Sequence, residues 1–146
     1  MSAITFYRIG RWCYVRRVPL VPSLTYHLIY LLFHASIPMS VEIGAGTVLN
    51  YGGLGVVLHH RCRIGKNVVI AHQVTVGGRS RLKEVPVIED NCYIGTGAKV
   101  LGPVVVGAGS GVGANAVVIH DVPPRSLVAG VPARIIRSDV NIVEFG

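Results

Sequence analysis

From Ile43 onward, large aliphatic residues return at a fixed step: Ile43, Leu49, Leu58, Ile64, Ile70, Val76, Ile88, Ile94, Val100, Val106, Val112 and Val118. The step is six residues, except for nine between Leu49 and Leu58 and twelve between Val76 and Ile88. A period of six fits neither a helix face nor the two-residue alternation of a half-buried strand. Four places after the aliphatic comes a small or β-branched residue, as at Thr47, Cys62, Val68, Val74, Cys92, Ala98, Val104, Ser110 and Ala116. Glycine often follows the aliphatic directly, as at Gly44, Gly65, Gly77, Gly95, Gly107 and Gly113. This is the rhythm of a hexapeptide-repeat parallel β-helix, in which three units make one triangular coil of about 18 residues. The aliphatic points inward, the small residue fits the corner, and the glycine is expected to take strained backbone angles there. The fold class is therefore mainly β, a single strand wound as a parallel β-helix over residues 37–136.

A coil that gains residues must push them outward, because its interior is full. Residues 50–57 and 77–87 are thus predicted as external loops, the places where a rigid scaffold usually carries its site. His59 and His60 follow the first loop, His72 lies one coil on, and Gly77 and Gly78 open the second loop. Counting in threes brings both loops, the three histidines and the Gly-Gly pair toward one corner of the prism.

Before the repeat, residues 1–36 read as a short two-helix cap, with helices over 3–16 and 23–34 separated by VPLVP. Ser23 after Pro22 is the expected N-cap. Leu24, Leu28, Leu31 and Leu32 form a helical stripe expected to pack on the β-helix. Peripheral membrane contact through Trp12, Tyr14 and the nearby arginines is the second reading. LIYLLF is too short to span a bilayer, and no small-residue cleavage site follows it. Residues 137–146 read as a C-terminal tail.

Apolar residues are 51% of the chain and charged ones 14%, enough for one well-filled core. The net charge of +7 allows nucleic acid, an anionic surface or a polyanionic small molecule as partner. No aromatic-interleaved basic stripe and no nucleic-acid motif accompanies it, which argues against nucleic acid. The three cysteines have no metal spacing, and their odd number suggests a reducing compartment. Cys62 and Cys92 fall on small-residue positions and read as buried hydrophobes.

Three segments carry a resemblance: VTVGG (74–78), IGTGAKVLGPVVVGAGSGVGANAVV (94–118) and DVPPRSLVAGVPARII (121–136). With YRIGRW and LIYLLFHASIP ahead of them, they resemble the hexapeptide-repeat acyltransferases, and within these the serine acetyltransferase-like branch. The resemblance implies a left-handed β-helix and a homotrimer with active sites between subunits. It implies acetyl transfer from acetyl-CoA, as co-substrate, to a hydroxyl, with a histidine as general base and no metal, in the cytoplasm. Chemistry agrees: a hydroxyl needs a base with a pKa near working pH, and the thioester oxygen needs N–H donors. On this reading acetyl-CoA lies along Gly77, Gly78, Thr96, Gly97, Ala98, Lys99, Gly113 and Ala114. Its phosphates fall to Lys99, Arg134 or Arg137.

Members of that branch carry an Asp-His pair where this chain has Asn50-Tyr51. They place a carboxylate at the position of Ser36 and a second histidine at that of Val85. The base must then be another histidine, in the order His59, His60, His72. It would be oriented by a backbone carbonyl, Asn50, or a carboxylate such as Glu89 or Asp90 of an adjacent subunit. Asn50, Tyr51, Gly52 and Gly53 would contact the acceptor. The lost serine contacts and the basic N-terminus lean toward a small molecule or saccharide hydroxyl. L-serine is the alternative, and a non-catalytic β-helix scaffold a further one. A zinc-dependent γ-type carbonic anhydrase is disfavoured, since no two histidines stand five residues apart.

Overall fold

The computed structural model describes residues 1–142, and in it two helices lead into a left-handed solenoid of four coils. Helices α1 (Ala3–Val15) and α2 (Val21–Phe33) pack on each other and against the first coil. Strands β1 (Glu42–Ile43), β2 (Val48–Leu49) and β3 (Val57–Leu58) form that coil. The second holds β4 (Arg63–Ile64), β5 (Val69–Ile70) and β6 (Thr75–Gly77), and the third β7 (Val87–Ile88), β8 (Tyr93–Ile94) and β9 (Lys99–Leu101). Strands β10 (Val105–Val106), β11 (Gly111–Val112) and β12 (Val117–Val118) make the fourth. They stack into three parallel faces, β1-β4-β7-β10, β2-β5-β8-β11 and β3-β6-β9-β12, the second extended by a further strand. Strand β13 (Ser126–Ala129) turns back into β14 (Arg134–Ser138), its antiparallel partner. Part of the segment read as tail is thus a paired strand, while residues 143–146 lie outside the described residues.

The predicted aliphatics meet in register. Ile43, Ile64 and Ile88 are Cα partners on the first face, Leu49, Ile70 and Ile94 on the second, and Leu58, Val76 and Val100 on the third. All are buried, each contributing about 1.5–3 kcal/mol by removal from water. The corner residues close this interior. Thr47 Oγ1 donates to the Gly65 carbonyl at 2.7 Å and accepts the Val68 N–H at 3.1 Å. Ser110 Oγ donates to the Pro123 carbonyl at 2.7 Å and accepts the Ser126 N–H at 3.1 Å, so neither buried hydroxyl lacks a partner. Cys62 and Cys92 are buried and unpaired; burial pushes their thiols up to about 12 and about 11, where they are inert.

None of the six glycines after the aliphatics has the strained backbone expected of it, and at four of them crowding supplies the reason instead. Gly44, Gly65, Gly95 and Gly107 have ordinary φ, but an added Cβ would run into backbone of the next coil. At Gly95 it would lie 2.7 Å from the Val112 carbonyl oxygen and 2.8 Å from the Ala114 nitrogen. The left-handed position falls two residues later, at Gly46, Asn67 and Asn91 on one corner and at Gln73, Gly97 and Asn115 on another. Asparagine tolerates that region better than most residues.

The cap differs from expectation in two ways. Helix α2 begins at Val21, so Pro22 sits in the first turn, where its missing N–H costs nothing, and Ser23 is no cap. Its buried residues are Thr25 and Ile29, while Leu24, Leu31 and Leu32 are exposed. Packing within this chain therefore does not account for the leucine stripe. No helix among the described residues is long and apolar enough to cross a membrane. Tyr7 secures α1 by donating its hydroxyl to the Val41 carbonyl at 2.5 Å, and Arg8 grips the Ile43 and Gly44 carbonyls.

Close coil spacing makes a paired prediction. Gly95→Ala should destabilise the protein by about 1–3 kcal/mol in urea titrations, because coils must separate to admit the methyl. Gly78→Ala, whose new Cβ would meet nothing within 4 Å, should stay within about 0.5 kcal/mol of the parent.

Candidate functional site

The two loops leave the solenoid at different corners, and they take the histidines with them. The first loop interrupts the corner between the second and third faces, between β2 and β3. His72 stands one coil on at the same corner, between β5 and β6. The second loop leaves the next corner, between β6 and β7, where β3 passes through His59 and His60 into β4. The expected convergence on one corner is therefore corrected: the two clusters flank the third face. Strand ends two and three residues long hold them apart.

At the His59 corner, the His59 N–H donates to the Val76 carbonyl at 2.8 Å. The rings of His59 and His60 stack at 4.3 Å. His59 Nδ1 accepts the Arg61 N–H at 3.2 Å, so the neutral ring carries its proton on Nε2. Burial, then His60 and Arg61, hold His59 below its ordinary value of 6.5. Arg61 also donates to the Lys83 carbonyl at 2.6 Å, tying the second loop to this corner. Gly77 and Gly78 open that loop, Gly78 with open space around it. Asp90 and Glu89 of this chain lie at the remaining corner, where they accept the Lys66 and Ala108 N–H groups at 2.8 Å.

The other corner is a ladder. Asn50–Gly53 forms a 3₁₀ turn in which Tyr51, Gly52 and Gly53 all have positive φ. The helical cap seats this turn: Cβ atoms at Gly52 and Gly53 would approach Phe33 at 3.3 Å and Ala3 at 3.1 Å. Tyr51 remains 78% exposed and meets His72 edge to face, with ring centroids 4.7 Å apart. His72 Nδ1 is buried with no hydrogen-bond partner. Below it the corner descends through Thr96–Gly97 and Gly113–Ala114, linked by Gly97 N–H to the His72 carbonyl at 3.0 Å and Asn115 N–H to the Thr96 carbonyl at 2.8 Å. Ala98 is fully buried and offers only backbone. Lys99 Nζ donates to the Gln73 and Gly97 carbonyls at 3.1 and 2.7 Å, leaving one N–H uncommitted. Arg134 is exposed beside Ala129, which is next to Gly113; its strand lies four strand spacings, or about 19 Å, from the strand that leads into His72. Gln73, whose left-handed backbone presents its carbonyl to Lys99, was not singled out in the sequence. Only a count of corner positions across coils would have found it. Among the described residues no cluster of three metal-ligating side chains occurs.

A groove of about 760 Å³ lies elsewhere, on the first face, lined by Arg11, Glu42, Arg63, Lys66 and Asp90 among others. It contains none of the histidines, and two of its lining residues, Arg63 and Glu42, form an exposed ion pair at 3.2 Å.

Comparison with known proteins agrees with this architecture. Residues 86–120 match the bacterial transferase hexapeptide (six repeats) family. The serine acetyltransferase of Bacillus subtilis is 38% identical over 150 residues, covering 97% of this chain and 69% of its own length. That of Synechococcus elongatus is 36% identical over 144 residues, covering 97% of this chain and 59% of its own. The structure of the Brucella abortus serine acetyltransferase in complex with coenzyme A superposes with a TM-score of 0.87 at 33% identity, over 93% of this chain and 55% of that one. The fold and its repeat define a hexapeptide-repeat transferase. Within that class, the chain belongs to the serine acetyltransferase family. It spans little more than half to about two thirds of the length of these relatives.

The His59 environment sets a pH dependence. As pH falls through 6.5, the unfolded chain takes up this proton before the folded one, so His59 erodes stability from there down to its lower folded midpoint. In an NMR titration His59 should titrate below 6.5. His60→Ala should move its midpoint upward without reaching 6.5, because burial, the largest cause, remains.

Proposed function

We propose that this protein is an acetyl-CoA-dependent O-acetyltransferase, working at the corner that carries Tyr51 and His72. The observation that supports it is the continuous ladder from His72 down through Thr96–Gly97 and Gly113–Ala114 to Arg134. Small residues there leave the coil edge open to an extended thioester arm, and basic groups wait at its far end. The coenzyme A in the Brucella relative favours the same co-substrate here.

In this reading the acceptor hydroxyl gives its proton to the Nε2 of His72 as its oxygen attacks the thioester carbonyl. The C–S bond then breaks, and the departing sulfur takes a proton back. His72 replaces His59 as first choice of base. His59 stands at the other corner, and its neutral ring holds a proton on Nε2 instead of a free lone pair. Lys99 fixes the corner through the Gln73 and Gly97 carbonyls and offers its remaining N–H to an anion.

L-serine is the acceptor we favour. The relatives that span most of this chain are serine acetyltransferases, and this moves the saccharide hydroxyl, the leading expectation from the sequence, behind it. Asn50 and Tyr51 then supply contacts that an Asp-His pair makes in the resemblance, Tyr51 through its exposed hydroxyl. Exposed Val48, Tyr51, Leu54 and Val57 surround the corner and support closure of the cleft by a second copy, as in a homotrimer. A cytoplasmic location follows from the supply of acetyl-CoA.

Two measurements test this. Acetyl-CoA-dependent thiol release with L-serine should exceed that with glycosides or nucleotide sugars. His72→Ala should lower it by roughly 10²–10⁴-fold, while His59→Ala stays within about tenfold of the parent. Release only with a sugar would reverse the acceptor, and full activity of His72→Ala would remove the base. Light scattering should give the mass of three chains, and Leu54→Lys with Val57→Lys should shift it toward one.

A further inference from the structure

Resting on the acetyltransferase reading, the geometry points to Tyr51 as the positioning residue for His72. We propose that the face of the Tyr51 ring receives the Nδ1–H of His72. This fixes the imidazole proton on Nδ1 and leaves the Nε2 lone pair free for the acceptor's proton.

The starting observation is an orphan. His72 Nδ1 is buried and has neither a nitrogen nor an oxygen partner. A buried polar atom without a partner calls for an explanation, since burial removes water as a substitute. Catalytic histidines usually have this nitrogen held by a carboxylate or carbonyl, which sets the tautomer and steadies the imidazolium. No carboxylate of this chain hydrogen-bonds His72 among the described residues.

An aromatic ring is what His72 does have. Tyr51 lies at a centroid separation of 4.7 Å with 70° between the planes. That is the edge-to-face arrangement in which a positive ring edge meets a negative π face. An N–H directed at such a face is a recognised weak hydrogen bond. The opposite tautomer would aim a lone pair at the same negative face and is repelled by it. When Nε2 gains its proton, the ring becomes a cation above the same π system, which again attracts it. Tyr51 thus does, through its quadrupole, part of what a carboxylate does through its charge.

The backbone supports the assignment. Tyr51 is held at φ 54, a conformation uncommon outside glycine and asparagine. It is locked in a turn that the helical cap seats against Phe33 and Ala3. On the other side, the His72 carbonyl is tied to the Gly97 N–H and the neighbouring Gln73 N–H to the Leu54 carbonyl at 2.8 Å. The two rings therefore meet between fixed supports. The phenol hydroxyl plays no part in this contact, so the ring and the hydroxyl separate cleanly by mutation.

The test reads the tautomer directly. Two-bond ¹H–¹⁵N correlation spectra of the labelled full chain at pH 8 should show His72 protonated on Nδ1. Tyr51→Phe should keep that pattern, whereas Tyr51→Leu should lose it and lower kcat at least about tenfold below that of Tyr51→Phe. Retained thermal unfolding in both variants excludes misfolding. A wild-type His72 protonated on Nε2, or a pattern unchanged in Tyr51→Leu, overturns the proposal whatever the activity. An Nδ1-protonated His72 in a protein that acetylates no acceptor overturns the acetyltransferase reading instead and leaves the ring contact standing.

Discussion

The coils stack at the spacing of adjacent strands, and this close approach governs the rest of the molecule. Strand N–H groups donate to carbonyls one coil away, as from Val48 to Val68, Val69 to Cys92 and Tyr93 to Ser110, so the coils cannot drift apart without losing a whole row of bonds. Glycine at 44, 65, 95 and 107 is the direct consequence, because a methyl at these points would lie inside the next coil's backbone. Small corner residues are the second consequence, and the outward path of every surplus residue is the third. A solenoid built this way has no internal slack, so its chemistry must sit on its edges.

Two edges carry the candidate chemistry, and the same constraint shapes both. On one, Tyr51 is lifted out by surplus residues and held there by the helical cap, while His72 belongs to the regular coil beneath. On the other, His59 and His60 are regular and the second loop is the surplus, fastened by Arg61 to the Lys83 carbonyl. The cap therefore does more than close the end of the prism. Phe33 and Ala3 set the turn that presents Tyr51, so a change in the helices would be felt at the site before it was felt in the solenoid.

Much of this was legible in the repeat. The inward positions of Ile43 through Val118, the burial of Cys62 and Cys92, and the two external loops follow from the six-residue step. The expectation for the glycines was wrong in its reason: crowding from the next coil, invisible along one chain segment, demands them. The Ser23 cap failed because Pro22 serves as well inside the first turn as before it. The leucine stripe of α2 was readable as amphipathic, but periodicity does not say which side meets the body, and Thr25 and Ile29 took that side.

The candidate site divides along the same line. Sequence alone determined that histidines, a Gly-Gly pair and two loops belong to an edge of the solenoid, because step lengths count coils reliably. Tertiary structure decided which edge each occupies, since one corner differs from the next by only a few residues of strand. It also decided what each histidine touches. Arg61 holds the Nδ1 of His59, and Tyr51 lies against His72, because the first contact depends on a turn's backbone and the second on a loop braced by Phe33 and Ala3 of the helical cap, outside the repeat. Periodicity fixes the positions of side chains that repeat, whereas contacts made by side chains outside the repeat depend on how separate elements come to rest against one another.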